Sequence, residues 1–408
     1  MSGDASPALP APPERLDLVA NARIPSQRAQ AVQVLHVANS FRRFVPRVRL
    51  LHARRQPTPS LPPGRELFEY YGIEFGPRPE VVAVPCTDLV DAVPTRLQFV
   101  PARVQELTFA RNAARAVRCE RGNAWVLSRE IESARALLRK GHRAVFVEIH
   151  RVPGGRTRRR WLREVCERCA GVVAISGGVA EDLAPFGASG DRVVVEHDGV
   201  ALSLYDEPVP RDRARDELGL ARNLPTVVYT GSLLDWKGVD VLLDAAERMP
   251  QARFVVVGGD DARIAELRRG RELANVRFTG FRPPSEVLHH LWAADVAVVP
   301  NRSRPAISSR YTSPLKVFEA MAAGVPIVAS DLPSLRDVLE HGRTGWLVPA
   351  DDPDALARGL GTVLSDQALR VKLATRARIE VTRHAWESRA RRILAFMSER
   401  LRADGVTG

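Results

Sequence analysis

The sequence predicts an α/β protein made of two units, each built on a parallel sheet. Three observations carry that reading. Short β-branched runs alternate with longer helical stretches along the whole chain, the pattern of strand–helix–strand crossovers. A second half opens near Pro208 with EPVPRDRARDELGL, a charged linker and helix, and the alternation then restarts. The chain has 408 residues, 45% of them apolar, which is enough for two or three ordinary domains with real cores.

The elements follow in order. Residues 1–16, MSGDASPALPAPPERL, hold acids and prolines where a signal peptide needs a basic start and an apolar middle, so they read as a disordered leader. The N-terminal unit, 17–205, opens with LDLVANA, a strand ending in a polar turn, followed by the helical RAQAVQVLHVANSFRRF. VRLLHA, AWVLS, AVFVEIH and GVVAIS are further strands, and the prolines from Pro57 to Pro63 mark a long surface loop. In the second unit, 206–385, the strands are PTVVYTG, ARFVVVGG, VRFTGF, VAVVP and PIVASD. Within 386–408, WESRARRILAFMSERL is a helix expected to pack back towards the N-terminal unit. Open parallel sheets bind ligands beyond the carboxyl ends of their strands. That singles out TGSLLDWKG, GGDDAR, GFRPPS, PNRSRPAISSRYTSP and SDLPS.

The net charge is +12, and nearly every base is arginine. Residues 1–205 hold 30 Lys+Arg against 21 Asp+Glu, so most of the excess sits in the first half. Such a surface suits an anionic substrate, an anionic membrane or nucleic acid, and equally follows from a GC-rich genome. Interleaved aromatics and a continuous basic helix are missing, so no nucleic acid is expected. No apolar run approaches the roughly 20 residues that cross a bilayer, and the expected location is cytoplasmic. Four cysteines make no disulfide framework. Cys166 and Cys169 read as a structural pair one turn apart in mid-helix, neither at a helix start nor beside a second zinc-binding pair.

Two segments carry chemistry. In TGSLLDWKGVDVLLDAA a strand ends at Thr230, Gly231 turns the chain, and Lys237 precedes a helix start. Free amides, a positive helix end and a lysine make an anion site. In SSRYTSPLKVFEAMAAGVPIVASDLPSLRDVL, Pro314 suits the first turn of a helix whose Leu315 and Lys316 amides point outward. Glu319, one turn on, can accept hydrogen bonds from a ribose diol. Val317, Phe318 and Met321 are core. Asp351, Asp352 and Asp354 more simply cap a helix than bind a metal, and Asp260-Asp261 reads as a loop. Ser176 lacks a nucleophile elbow, and Walker A and G-x-G-x-x-G motifs do not occur.

Together these segments resemble the retaining glycosyltransferases of family 4, the group 1 type with the GT-B fold, over roughly residues 17–395. TGSLLDWKG, NVRFTGF, the aspartate of WAADVAVVP, SPLKVFEAMAAGVPIVASD and GWLVPADDPDAL stand in that family's order. NARIPSQRAQAVQV, FEYYGI, FVEIH, AISGGVAEDL and EHDGV look like a bacterial subgroup. The resemblance implies two Rossmann-like parallel-sheet domains facing each other across a cleft. It implies a retaining hexosyltransferase acting on a nucleotide diphosphate sugar, with no cofactor and no metal. The donor would contact Gly231, Ser232, Lys237, Phe281, Arg282, Tyr311, Ser313, Leu315, Lys316 and Glu319. Lys237 would neutralise the diphosphate, the amides of 315 and 316 would hold phosphates or sugar, and the backbone at Phe281 and Arg282 would frame the base. Asn21, Ser26, Glu148 and His150 fall on the acceptor side, with His150, Lys237 and Glu319 as the catalytic set. The acceptor would be a glycan, a lipid-linked or a small molecule, in envelope or exopolysaccharide synthesis.

The chain departs from the family at three places. Tyr311 stands where a first glutamate contacts the sugar, Ser232 where an arginine commonly follows the glycine, and ARIPSQ replaces a glycine-rich loop. The alternatives are a GT-B nucleotide-sugar epimerase and a non-catalytic nucleotide-sugar- or polyanion-binding homologue. Arg156, Arg158, Arg159, Arg160 and Trp161 suggest a flexible basic loop that docks on the inner face of an anionic membrane.

Overall fold

The computed structural model describes residues 12–26, 29–55, 61, 64–73, 76–117, 124–271 and 273–405. Residues 1–11 of the expected leader, and the 57–63 loop apart from Leu61, lie outside the described residues. The chain divides into two compact units. The first comprises 1–175, 179–197 and 386–408, and the second comprises 176–178 and 198–385.

The first unit holds a seven-stranded parallel sheet in the order β3-β2-β1-β4-β5-β6-β7. Its strands are β1 (Arg15–Ala20), β2 (Arg47–Arg54), β3 (Glu80–Pro85), β4 (Ala124–Ser128), β5 (Val145–Ile149), β6 (Gly171–Ala174) and β7 (Val193–Val195). β1 begins at Arg15 and Leu16 is fully buried, so residues 15 and 16 belong to the sheet and not to a leader. The helix Trp386–Ala403 lies in this unit. Trp386 stacks on His36, Phe396 meets the edge of Phe146, and Arg400 bonds Asp191. A side chain at Gly171 would run into the Phe396 ring at 2.7 Å, so the glycine lets this helix lie against β6.

The second unit has six parallel strands in the order β10-β9-β8-β11-β12-β13. They are β8 (Thr226–Thr230), β9 (Arg253–Val257), β10 (Val276–Gly280), β11 (Val296–Val299), β12 (Ile327–Ser330) and β13 (Trp346–Val348). Each central strand is apolar on both faces. Val228, Val255, Val257, Ala297 and Val299 pack into one core, and Val227, Phe254, Val256, Val296 and Val298 into the other. Helices cover both faces of such sheets, which is why these strands read as unbroken Val-rich runs.

All the strands expected from the sequence form. It misses β3, β7 and β13, which are partly exposed edge strands without a fully buried run. Both sheets reverse their strand order in the middle, at β1/β4 and at β8/β11. A crevice opens beyond the carboxyl ends at such a switch point. The first lies beyond Ala20 and Ser128, the second beyond Thr230 and Val299.

The Cys166/Cys169 pair is not in mid-helix. The helix Arg156–Arg168 ends before Cys169, which is extended and caps it. Burial pushes both thiols up to about 12, the range of inert core cysteines.

Candidate functional site

At the β8/β11 switch point, three turns are braced into one cluster. Gly231 ends β8 with φ 124°, and its amide bonds Val257 O at 2.9 Å. A short 3-10 turn, Asp235–Lys237, then leads through Gly238 into the helix Val239–Glu247. Gly238 has φ 68°, and a Cβ there would sit 1.8 Å from Pro300 O, so the turn presses against the end of β11. Arg302 N–H and Ser308 Oγ–H both donate to Trp236 O, at 2.9 and 3.2 Å. Arg263 donates to Leu233 O at 2.9 Å from the next helix, Asp261–Arg268. Lys237 is thus set by a fixed backbone. Its ammonium lies 3.9 Å from the Trp236 ring centroid, and burial lowers its pKa from 10.5 to about 8.

The helix Leu315–Ala322 supplies the second part. Pro314 occupies the capping position and not the first turn, with no side-chain cap. Leu315 is therefore the first helical residue, and the amides of 315 and 316 belong to the first turn, which has no intrahelical acceptors. The Asp198 N–H donates to Ser313 Oγ at 2.6 Å, fixing the approach to the helix. Glu319 is half-buried. Burial raises its pKa, against the opposing field of Lys316. Phe281 and Arg282 follow β10 and are exposed, and Arg282 pairs with Glu286 at 3.4 Å. Tyr311 is half-buried, while Gly231 and Ser232 are exposed. Tyr229 O–H donates to Ser232 O at 2.6 Å.

The sequence identified the Lys316 amide but missed its side chain. Lys316 is 8% exposed, and its Nζ has no hydrogen-bond partner among the described residues. It lies over the Tyr229 ring, 3.8 Å from the centroid, and 3.4 Å from where a Gly231 Cβ would be. Only the alternation of core and solvent positions on that helix could have signalled it.

At the β1/β4 switch point the first unit has a cavity of about 540 Å³. Asn21 and His150 line it, joined by Arg23, Arg129, Glu130 and Arg158. Asn21 and Gln105 exchange side-chain hydrogen bonds at 3.0 and 2.8 Å, and Asn21 N–H donates to Glu130 Oε1 at 2.9 Å. Ser26 and Glu148 are not among the lining residues. Ser26 is held by Tyr71, whose hydroxyl accepts from Ser26 N–H at 2.6 Å and donates to Ser26 O at 2.7 Å. Glu148 lies beneath His150, bonding its Nε2 at 2.6 Å and Arg389 at 2.7 Å.

Burial works against the Glu148 charge, but Arg389, the His150 hydrogen bond and Arg129 together hold its pKa well below the usual range. Burial and then Arg129 outweigh Glu148 at the imidazole and bring His150 down to about 4. His150 is therefore neutral near pH 7. Arg129 Nε–H also points at Nε2, at 3.0 Å, but one ring nitrogen cannot accept there while donating to Glu148. The shorter carboxylate contact favours the proton on Nε2. Arg389 and Arg129 carry no motif, and the sequence missed both.

Three further acids are structural. Asp352 caps the helix Pro353–Ser365, accepting from Ala355 N–H at 2.8 Å. Asp260 is a cap for Asp261–Arg268 and not a plain loop residue, accepting from Arg263 N–H at 2.9 Å. Asp295, the WAADVAVVP aspartate, accepts from Thr226 N–H at 2.8 Å and pairs with Arg215 at 2.6 Å, tying β8 to β11. Among the described residues no three His, Cys, Asp or Glu side chains converge as a metal-binding group, and no helix is long and apolar enough to cross a membrane.

Residues 224–366 match the family model "Glycosyl transferases group 1". The chain is 35% identical over 237 residues to the D-inositol 3-phosphate glycosyltransferase of Xylanimonas cellulosilytica, covering 55% of each protein. It is 33% identical over 245 residues to the phosphatidyl-myo-inositol mannosyltransferase of Mycobacterium tuberculosis, covering 57% of this chain and 60% of the relative. The matched stretch thus spans little more than half of these curated relatives. Among solved structures, the sucrose-phosphate synthase of Thermosynechococcus elongatus superposes with a TM-score of 0.75 at 20% identity, over 95% of this chain and 99% of that one. Anabaena HepE, solved with UDP and glucose, superposes with a TM-score of 0.71 at 19% identity, over 94% and 99%. These two establish the fold. The chain has the GT-B fold, and residues 224–366, within its second unit, are similar to the glycosyl transferases group 1 family.

Proposed function

We propose that the protein moves a hexose from a UDP- or GDP-sugar to an anionic or lipid-linked acceptor, with retention at the anomeric carbon and without a metal. The observation that carries this is the convergence at the β8/β11 switch point. A lysine held by a glycine-forced turn, a helix start with unpaired amides and a half-buried carboxylate stand at one crevice. In glycosyl transfer the bond from the anomeric carbon to the phosphate oxygen breaks, and negative charge builds on the leaving diphosphate. Fixed donors aimed at that charge lower the barrier. Lys237 and the amides of Leu315 and Lys316 are such donors, and Glu319 takes the ribose diol. Gly231, Ser232 and Tyr311 border the sugar and phosphates, Ser313 holds the helix start, and Phe281 with Arg282 frames the base.

The first unit offers the acceptor a polar cavity whose arginines suit a phosphorylated polyol, the kind of acceptor named in the inositol phosphate relative. Neutral His150, oriented by Glu148, gives that cavity a fixed uncharged group. Asn21 lines the same cavity, and Ser26 with Tyr71 sets the segment that follows it. A front-face attack, in which the leaving phosphate oxygen helps take the acceptor proton, accounts for retention with no pair of glycosidase-like carboxylates.

The test is a screen of radiolabelled UDP- and GDP-sugars with and without phosphorylated polyol and lipid acceptors, each repeated in EDTA. Acceptor-dependent transfer that survives EDTA is the expected outcome. Epimerisation without an acceptor would point to the epimerase alternative. Complete loss on chelation, restored by magnesium or manganese, would overturn the metal-free account.

A further inference from the structure

We propose that the Lys316 ammonium is itself a ligand of the donor's diphosphate, forming with Lys237 a two-lysine clamp beside Gly231. This rests on the reading of the β8/β11 crevice as the nucleotide site and adds a residue to it.

The Lys316 side chain is costly to the free protein. An ammonium taken out of water must find acceptors for its three N–H groups or lose its proton. Lys316 is 8% exposed, and its Nζ finds no acceptor among the described residues. The face of Tyr229, at 3.8 Å, gives the charge some compensation but takes no conventional hydrogen bond. A methionine would pack on that ring with no charge to bury. The amine therefore lies in the crevice at a cost that the free protein does not recover.

Its surroundings point to an anion. Nζ lies 3.4 Å from the Cβ position of Gly231, so it stands beside the turn that ends β8, where a side chain would crowd it. Ser232, the next residue, brings no charge. The helix that carries Lys316 begins at Leu315 with no side-chain cap, so its first-turn amides have no intrahelical acceptors. The charged or titratable groups facing Nζ are Lys237 from the 235–237 turn, Glu319 from its own helix and Tyr229 from β8, with Tyr205 behind Glu319. Glu319 forms no ion pair with it within 4 Å among the described residues, and Lys237 repels it. Two like charges sharing a crevice are satisfied together by a ligand with at least two negative charges, which a nucleoside diphosphate brings.

One consequence separates this role from simple packing. Burial and then the Lys237 field, against the opposing pull of Glu319, hold the Lys316 amine well below the ordinary lysine range. Binding a diphosphate reverses that environment, so the site takes up a proton as it takes up the ligand.

The test uses the full chain, with UDP, GDP, inorganic pyrophosphate, uridine and guanosine as probes, by calorimetry at pH 8 in two buffers of different ionisation enthalpy. The wild type should bind pyrophosphate and one of the nucleoside diphosphates with proton uptake. Lys316→Met should weaken both at least about tenfold, a size typical of a lost charge-assisted contact. It should abolish much of the uptake, leave the matching nucleoside unaffected and raise the melting temperature of the free protein. Lys316→Arg should restore most of the affinity, and Ser232→Arg placed in the Lys316→Met chain should restore part of it. A folded Lys316→Met protein with wild-type diphosphate affinity overturns the clamp while leaving the nucleotide site intact. A wild type that binds no diphosphate and no pyrophosphate overturns both.

Discussion

The two switch points manage charge in opposite ways. In the first unit, Glu148 is enclosed by Arg389, His150 and Arg129, and the buried charges answer one another. In the second, Lys237 and Lys316 have the same sign, and Glu319 offsets them without pairing. A neutralised network holds its geometry whether or not a ligand is bound. A crevice of unanswered charge gives up stability in the free protein and recovers it on binding. On the reading proposed above, the first unit's charges hold its cavity in shape and the second unit's await the donor's diphosphate.

The largest expected effect comes from breaking the neutralised network. Arg389 is 1% exposed and donates to Glu148, to His197 O at 2.6 Å and to Glu196 O at 3.4 Å. Arg389→Met leaves a buried carboxylate without its main counter-charge, a loss of about 3–5 kcal/mol. Urea unfolding of the variant should show a lower midpoint, with the unfolding free energy reduced by that amount. The His150 imidazole should titrate above about 4, because a positive neighbour has gone. An unshifted midpoint together with an unshifted His150 would remove the contrast between the two units.

Next come the binding charges. Lys237→Ala and Glu319→Ala should each weaken nucleoside diphosphate binding by about 1.5–3 kcal/mol, tenfold or more. The pH dependence has a definite sign. Lys237 loses its proton near 8 in the free protein, and a bound anion raises that value. Affinity should be full below pH 8 and fall as pH rises through the higher bound-state value. Calorimetry between pH 6 and 10 checks it, and unchanged affinity in both folded variants would mean the nucleotide binds elsewhere.

How much of this was legible depended on what each residue does locally. Lys237 and Glu319 stand in segments where glycine, proline and strand–helix patterning force the backbone, so the sequence marks them. The strands of both central sheets declare themselves as Val-rich runs. Lys316 was read only as an amide, because the alternation of core and solvent positions in SPLKVFEAMA is a weak signal for where a lysine side chain turns. Arg389 lies 241 residues from Glu148, one arginine among many on an arginine-rich helix. The edge strands β3, β7 and β13 lack the buried alternation that would announce them.

Glu130, also in the first unit, departs from this neutralised pattern and gives a smaller effect. Glu130 caps the helix Ile131–Arg139, its Oε2 has no partner among the described residues, and burial outweighs the Arg129 field to raise its pKa from 4.5 to about 8. For an acid raised in this way, stability is fully present below the unfolded value and is lost as pH rises through the folded one. The window is about pH 4.5 to 8. Glu130→Gln should flatten the fall in melting temperature across that window, by on the order of 1 kcal/mol at pH 8 after allowing for solvent. A pH profile parallel to the wild type would show that Glu130 is already ionised at little cost.

The smallest effect concerns the surface of the first unit, where the structure redirects an expectation. The basic stretch beside Trp161 is helix from Arg156 onward and not a flexible loop. Arg158 is bonded to Glu132 at 2.9 Å, Arg159 lies over Phe186, and Arg135 covers the Trp161 ring. Those groups are already engaged. Exposed apolar side chains run instead along the start of the helix Phe99–Ala116, where Leu97, Val100, Val104 and Leu107 repeat at helical spacing. Phe99 beside them is 70% exposed, and Arg96 and Arg111 flank the stripe. Residues 98, 102 and 105 nearby line the first unit's cavity, so an apolar stripe with basic flanks lies next to the cavity proposed above for the acceptor. Each basic residue near an anionic leaflet contributes about 1 kcal/mol, and a shallow apolar face adds to that without anchoring the chain. Sedimentation with anionic vesicles at low salt should recover the wild type, and purely zwitterionic vesicles should not. Phe99→Ser/Val100→Ser should lose binding several-fold, while Arg158→Ser/Arg159→Ser/Arg160→Ser should lose less, because two of those three arginines are already committed within the fold. Equal losses would return the docking face to the arginine-rich helix. No recovery of the wild type by anionic vesicles at low salt would mean that the acceptor reaches the cavity from solution.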